Sequence, residues 1–396
     1  MPEDPTTWLS ESPDAEQSEP DRRIDEATAQ RLLALGINRR TFLSFCAGVA
    51  SLTALPQSMV PKLAAAAVSP QRPSVVYLSF QECTGCLESM VNSFAFRDGT
   101  TIENLILDLI SLDFQQTLMA PAGFHAEEQL AAVTERPGYV LIVDGSIPAQ
   151  WDSGFFVSGA RSGVARLRDA AQNAGLIIAV GSCASFGGLP KAQPNPTGAV
   201  SIGELMRQLG IALPLINLPG CPPIAEVVTA VVLYYLAEGM PPLDSLGRPT
   251  AFYGTTVHQR CYRRESFEEG HFAGSFDNAA ARRGECLFKL GCKGPVTYNA
   301  CARIGWNQGT SFPVMSGHGC IGCSEPDFWD RRGANGKRGL YVPLPEGFRD
   351  YDGHGDGAEC KRCHSNGRPG DDDDDERWDD EDRWDDEDHG EHHDDD

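Results

Sequence analysis

The segment "QECTGCLES", residues 81–89, sets two cysteines three apart directly after an apolar run. Thiols at that spacing serve a dithiol redox couple, half of a zinc site, or two corners of an iron–sulfur cluster. The choice depends on the rest of the thirteen cysteines. Once Cys46 is set aside, most of them have Gly or Pro within two residues, in short groups. Cys83 and Cys86 go with Cys183 in "GSCASFGG" and Cys221 in "LPGCPP". His258 and Cys261 in "VHQRCYRR" go with Cys286 and Cys292 in "GECLFKLGCKGP". Cys301 goes with Cys320 and Cys323 in "GHGCIGCSEPDFWD", and Cys360 and Cys363 remain in "ECKRCHSNG".

Grouping beside Gly and Pro suits metal better than disulfides, which staple small, loop-rich secreted chains. Small neighbours also let backbone approach bridging sulfides. Zinc is the main competitor. It usually takes two close ligand pairs within a small module, whereas the first group spans about 140 residues and joins one pair to two single cysteines. A dithiol fits less well, because it needs no further cysteines converging on it.

Five short apolar runs must position these residues: "SVVYLSF" (74–80), "NLILDLISL" (104–112), "YVLIVDGS" (139–146), "LIIAVGS" (176–182) and "PLINLPG" (214–220). Segments of helical length, such as "HAEEQLAAVTE" and "GVARLRDAAQNAG", lie between them. Strand–helix alternation with continuous apolar strands predicts a parallel sheet covered on both faces. In such sheets ligands bind beyond the carboxyl ends of the strands, where Cys83, Cys86, Cys183 and Cys221 fall. From about residue 250 regular strands give out and Gly, Cys, Pro and aromatics become dense. Metal is a natural source of cohesion there.

The formal charge of −23 is concentrated at one end. Residues 371–396 carry a net −16, including the tandem "RWDDEDRWDDED", and this tail is expected to be disordered. The body is only mildly acidic, and no basic stretch with exposed aromatics suggests a nucleic-acid surface. Near the start, after a short expected helix around Ile24–Leu35, "NRRTFLSFCAGVASLTAL" puts an arginine pair before an apolar run. "LAAAAVSP" then offers small residues for cleavage near Ala67. Together they read as a twin-arginine export leader, with Cys46 inside it. No other apolar run reaches the length of a membrane span.

"ECTGCLES", "GSCASFGG", "PGCPP", "VHQRCYRR", "CLFKLGCKGP" and "GHGCIGCSEPDFWD", in this order, resemble the small subunit of nickel–iron hydrogenases of the exported, uptake type. The resemblance covers residues from about 39 to 335. It implies an α/β fold: a flavodoxin-like parallel-sheet domain (68–249), then an irregular cysteine-rich iron–sulfur domain (250–345). The leader (1–67) precedes these, and an extension with the acidic tail (346–396) follows. By the same resemblance, Cys83, Cys86, Cys183 and Cys221 ligate a proximal 4Fe–4S cluster. His258, Cys261, Cys286 and Cys292 ligate a distal 4Fe–4S cluster. Cys301, Cys320 and Cys323 ligate a medial 3Fe–4S cluster, with Pro313 where a fourth cysteine would otherwise stand. Neutral imidazole at His258 would make its cluster less negative, which tends to raise the potential. The implied partners are a large subunit that bears the nickel–iron centre, in an obligate heterodimer, and a cytochrome or membrane-bound acceptor. The implied place is the periplasm. A quinone-reductase subunit with one cluster shares the proximal motifs, and a zinc-stabilised scaffold is the non-redox alternative.

Three departures from the family pattern stand out. Gly85 occupies a place where oxygen-tolerant relatives carry an extra cysteine, Gly319 replaces a common proline, and no membrane helix follows "FWD". "CKRCH" (360–364) matches the C-x-x-C-H pattern for c-type haem, with Cys360 and Cys363 as anchors and His364 as axial ligand. Zinc on the same residues with His354 is its rival. Glu82 and Glu88 flank the first pair, where backbone capping or solvation is the plainer expectation over proton relay. The acidic tail, with His389, His392 and His393, reads as a solvated extension.

Overall fold

The computed structural model describes residues 24–34, 39–69, 73–92, 110–149, 154–307, 309–332 and 339–344. Five strands form one parallel sheet: β1 (Ser74–Ser79), β2 (Ser111–Phe114), β3 (Tyr139–Asp144), β4 (Ala174–Val180) and β5 (Leu215–Leu218). They lie in the order β2-β1-β3-β4-β5, the doubly wound order of flavodoxin-like sheets. β3 is buried at every residue, as a strand covered on both faces must be. Val75 lies opposite Val140 and Val143 opposite Ala179, with one register shift against β4 between Tyr139 and Val140.

Side chains alternate between two apolar layers. Val75, Tyr77, Val140, Ile142, Ile178 and Ile216 enter one, and Val76, Leu78, Leu141, Val143 and Ile177 the other. The second layer is closed by α5 (Phe124–Thr134), α6 (Gly163–Ala171) and α8 (Ile202–Leu209) through Leu130, Leu167 and Leu205. Ser162 caps α6 by accepting from the Ala165 N–H, and Ser201 with Glu204 forms a reciprocal capping box on α8. The segments "HAEEQLAAVTE" and "GVARLRDAAQNAG", of helical length in the sequence, fall largely on α5 and α6.

The first layer is closed by α4 (Gly85–Asn92) and α9 (Ala225–Glu238). The α9 sequence is apolar almost all round, which fits a helix buried on more than one side. Its outer side is covered by the N-terminal segment, which folds as α1 (Glu26–Ala34), α2 (Arg39–Leu52) and α3 (Val60–Ala67). Cys46 of α2 is fully buried, and burial pushes its thiol up to about 12.

Among the described residues after α9, the helices are short, with 3-10 turns between them, including Thr250–Tyr253, His258–Arg260, Ala279–Arg283 and Cys301–Ile304. This matches the loss of strand pattern. The coil shares the first apolar layer through Phe252, Leu287, Phe312 and Val314. At the end of the "NLILDLISL" run β2 begins at Ser111, and residues 101–109 lie outside the described residues. Among the described residues no helix is long and apolar enough to cross a membrane.

Candidate metal centres

β1, β4 and β5 each lead into cysteine at the carboxyl edge of the sheet. Cys83 and Cys86 follow β1 in the turn into α4, Cys183 lies in α7 (Gly181–Phe186) after β4, and Cys221 follows β5. Burial raises the Cys86 thiol well above its usual range, and the neighbouring Asp144, Cys183, Cys221 and Cys83 raise it further. Cys183 is pushed up to about 12 by burial and then by Cys221, and Cys221 is raised by burial and then by Cys83. Thiols held protonated, as those of Cys86, Cys183 and Cys221 are, need a cationic core to become thiolates together, and iron would provide one. The backbone fits that demand. A Cβ on Gly181 (φ +85) would lie 2.3 Å from Cys86 Sγ, and one on Gly188 (φ +62) 2.4 Å from Cys183 Sγ. Cys83 is exposed, so the group opens to the surface on its side.

The second group surrounds the turn at His258. His258 is buried, edge-on to Phe267 with ring centroids 4.6 Å apart. A Cβ on Gly294 would stand 3.5 Å from Cys292 Sγ and 3.6 Å from His258 Cβ, so the two side chains flank one glycine. Burial raises Cys261 to about 11 and Cys286 to about 12, with Cys292 raising both further. The Arg263 N–H donates to Cys261 Sγ at 3.4 Å. Phe267, Phe272 and Phe288 pack together beside the group and keep water from it.

The third group has three members. Burial pushes Cys301 up to about 12, with Cys320 next among the causes. Cys320 and Cys323 are raised by burial above all; Cys292 and Cys323 then act on Cys320, and Cys301 on Cys323. Pro313 opens the turn that leads to this pair, its carbonyl accepting from the His318 N–H at 2.9 Å.

Along the chain the groups run first, second, third, and the third touches both of the others. The Cys320 N–H donates to Cys292 Sγ of the second group at 3.2 Å. On the other side, the Cys323 thiol feels both the backbone N–H and the thiol of Cys221 from the first group. Ser182 ties the same two loops, accepting from the Gly220 N–H at 2.9 Å and donating to the Cys323 carbonyl.

Several residues that serve these sites are not singled out by the sequence motifs. Asp144 ends β3 between the cysteine-bearing strands; it is fully buried and accepts from the Tyr77 hydroxyl at 3.0 Å. Burial pushes its carboxyl up to about 7. A charged residue closing an otherwise apolar strand run is the available signal. Arg248 is also buried, donating to Asp244 at 2.8 Å, Glu325 at 2.9 Å and the Ser324 carbonyl at 3.0 Å. It fixes the loop just past Cys323. Lys293 is buried between the loops of Cys292 and Cys320, donating its N–H to the Cys320 carbonyl at 2.7 Å. Glu82 accepts from the Thr84 N–H, a backbone cap, and Glu88 is exposed on α4.

Among the described residues, no group of three or more His, Cys, Asp or Glu side chains is arranged to hold a single metal ion. Cys360, Cys363, His364 and His354 lie outside the described residues.

A doubly wound sheet with cysteines on its carboxyl edge, continued by a coil that carries two more cysteine groups, defines a cysteine-rich α/β protein. Comparison with known proteins narrows the class. Residues 253–334 match the family of the C-terminal part of the NiFe/NiFeSe hydrogenase small subunit, and residues 83–235 match "NADH ubiquinone oxidoreductase, 20 Kd subunit". The chain is 46% identical over 299 residues to the uptake hydrogenase small subunit of Afipia carboxidovorans, covering 75% of this chain and 79% of that one. It is 43% identical over 310 residues to the periplasmic [NiFe] hydrogenase small subunit 1 of Nitratidesulfovibrio vulgaris, covering 78% and 95%. The solved Ni-Fe-Se hydrogenase of Desulfomicrobium baculatum superposes with a TM-score of 0.61 at 31% identity, covering 69% of this chain and 100% of that one. The chain belongs to the nickel–iron hydrogenase small-subunit family. It is the small subunit of an oxidoreductase whose catalytic centre lies on the large subunit.

Proposed function

We propose that this chain conducts electrons between a nickel–iron site on a large partner subunit, where hydrogen is split, and a cytochrome-type acceptor. In this reading Cys83, Cys86, Cys183 and Cys221 hold a proximal 4Fe–4S cluster. Cys301, Cys320 and Cys323 hold a medial 3Fe–4S cluster, and His258, Cys261, Cys286 and Cys292 a distal 4Fe–4S cluster. Bound there, the clusters supply reversible one-electron transfer. The observation that carries the reading is the spatial order of the groups, with the three-cysteine group touching both of the others. The chain's own residues exclude water, and backbone N–H groups donate to sulfur at Cys261 and Cys292, interactions that tune cluster potentials. The exposed side of the first group, at Cys83, is where the large subunit would sit.

Export by the twin-arginine route to the periplasm completes the proposal, supported by the Arg39–Arg40 pair that opens α2 and by the periplasmic relative. The C-x-x-C-H motif is assigned to a c-type haem on Cys360 and Cys363 with His364 as axial ligand. The single-cluster quinone-reductase alternative accounts for residues 83–235 only.

Anaerobic co-purification with the large subunit tests the reading, by iron and acid-labile sulfide analysis, EPR and a haem stain. About eleven cluster irons, beyond those of the haem and of the nickel–iron site, and a 3Fe–4S signal are expected. About four irons without that signal would leave the single-cluster alternative, and a colourless protein with stoichiometric zinc would overturn the redox reading. Zinc in place of a stained haem band would reassign the C-terminal motif.

A further inference from the structure

The N-terminal segment is bound to the protein it precedes. Phe42, Cys46 and Ala50 of α2 and Val60, Leu63, Ala64 and Ala67 of α3 are each at most 1% exposed, in one apolar layer with Val227 and Val231 of α9. At the rim, Lys62 Nζ pairs with Glu238 of α9 at 2.7 Å. The end of the segment is held most closely. The Val68 N–H donates to the Ala64 carbonyl at 3.2 Å, continuing the helix, and the Val68 carbonyl accepts from the Arg31 guanidinium at 3.0 Å. Arg31 belongs to α1, upstream of the arginine pair, and Leu32 beside it is 1% exposed. Arg39 and Arg40 themselves are exposed.

Peptidases bind their substrates as extended strands, through the same backbone groups that a helix already uses. Hydrolysis at Ala67–Val68 would add water across the C–N bond, leaving a carboxylate on Ala67 and an amine on Val68. Here Ala67 is buried, and the residue after the bond is fixed on both its N–H and its carbonyl.

We propose that the leader is latched onto its own passenger: α2 and α3 dock on α9 and Arg31 clamps Val68, so the Ala67–Val68 region stays closed to processing until the exposed arginine pair is taken up and the leader is pulled away. The proposal rests on reading residues 39–67 as an export leader. Under it, cleavage depends on delivery, and the α9 face stays covered while the chain acquires its cofactors and partner.

The test uses the purified full-length chain with elastase, which cuts after small residues, and mass spectrometry of the N-terminal fragments. A synthetic peptide of residues 57–72 serves as the unprotected reference, since so short an isolated helix is marginal in water. Cleavage between Ala64 and Val68 is expected about 50-fold slower in the protein than in the peptide, as for a bond reached only through local opening. Arg31→Ala should recover part of that rate and Leu63→Asp most of it, with the visible absorption of the body unchanged. Equal rates in protein and peptide, or full protection persisting in Leu63→Asp, would overturn the latch. Arg39→Lys with Arg40→Lys tests the underlying reading: export should stop while protection in vitro persists. Export that continues unchanged overturns the leader reading, and the latch's purpose with it.

Discussion

Gly181→Ala isolates what the first cysteine group demands of the backbone. Gly181 follows β4 at φ +85, and a Cβ there would lie 2.3 Å from Cys86 Sγ and 3.7 Å from the Gly220 carbonyl. An L-residue in the left-handed region costs about 1–2 kcal/mol, and overpacking a filled site about 1–3 kcal/mol more. Together they amount to roughly 2–5 kcal/mol, and at about 2–4 °C per kcal/mol the melting temperature should fall by on the order of 10 °C. The local consequence is more specific. The thiol of Cys86 must move away from Cys83, Cys183 and Cys221, and the group loses its geometry. Iron should drop by about four per chain while the 3Fe–4S signal persists. Gly210→Ala is the control: Gly210 ends α8 at φ +69 with nothing within 4 Å of a new Cβ. It should incur only the left-handed cost and keep its iron. If Gly181→Ala keeps full iron and melts within a degree or two of Gly210→Ala, the steric reasoning is wrong.

Two further outcomes follow from buried charge. Arg248→Met leaves Glu325 and Asp244 without their shared cation in a buried setting, which should cost about 3–5 kcal/mol in unfolding free energy, read from denaturant midpoints. Asp144 gives a pH dependence. Its carboxyl is held up at about 7, against 3.8 without the fold. Between those values the folded chain binds more protons than the unfolded one, so stability falls as pH rises, by at most about 1.4 kcal/mol per unit, and levels off above 7. Asp144→Asn should flatten that slope between pH 5 and pH 7 in thermal unfolding, and an unchanged slope would count against it.

The sheet is legible in the sequence because β1, β3 and β4 are continuous apolar runs closed by Gly or Ser, and no helix of ordinary length fits between those stops. The edge strand β2 begins later than its apolar run suggests. Its residues are mostly half-buried, so apolar content gives no sharp boundary there. The resemblance implies both the membership of the cysteine groups and their order, while the motifs taken alone imply neither. That order depends on contacts such as Ser182 with Cys323, 141 residues apart, and Cys320 with Cys292 across a folded loop. Arg248 and Glu325, 77 residues apart, are equally hard to pair, since either alone reads as a surface charge. Docking of the N-terminal helices is hidden for another reason. An export leader and a core helix share the same apolar composition, and only burial of Ala64 and Ala67 against α9 separates the two roles here.

The placing of the third cysteine group has a consequence for biosynthesis. Cys301, Cys320 and Cys323 are the last of the three groups to leave the ribosome, yet they touch both of the others. A nascent or prematurely ended chain can complete the sheet and its edge cysteines while the third group is still missing. In the proposed reading such a fragment would hold the two outer groups without the one that touches both, and the path between them would be completed when residues 301–323 fold.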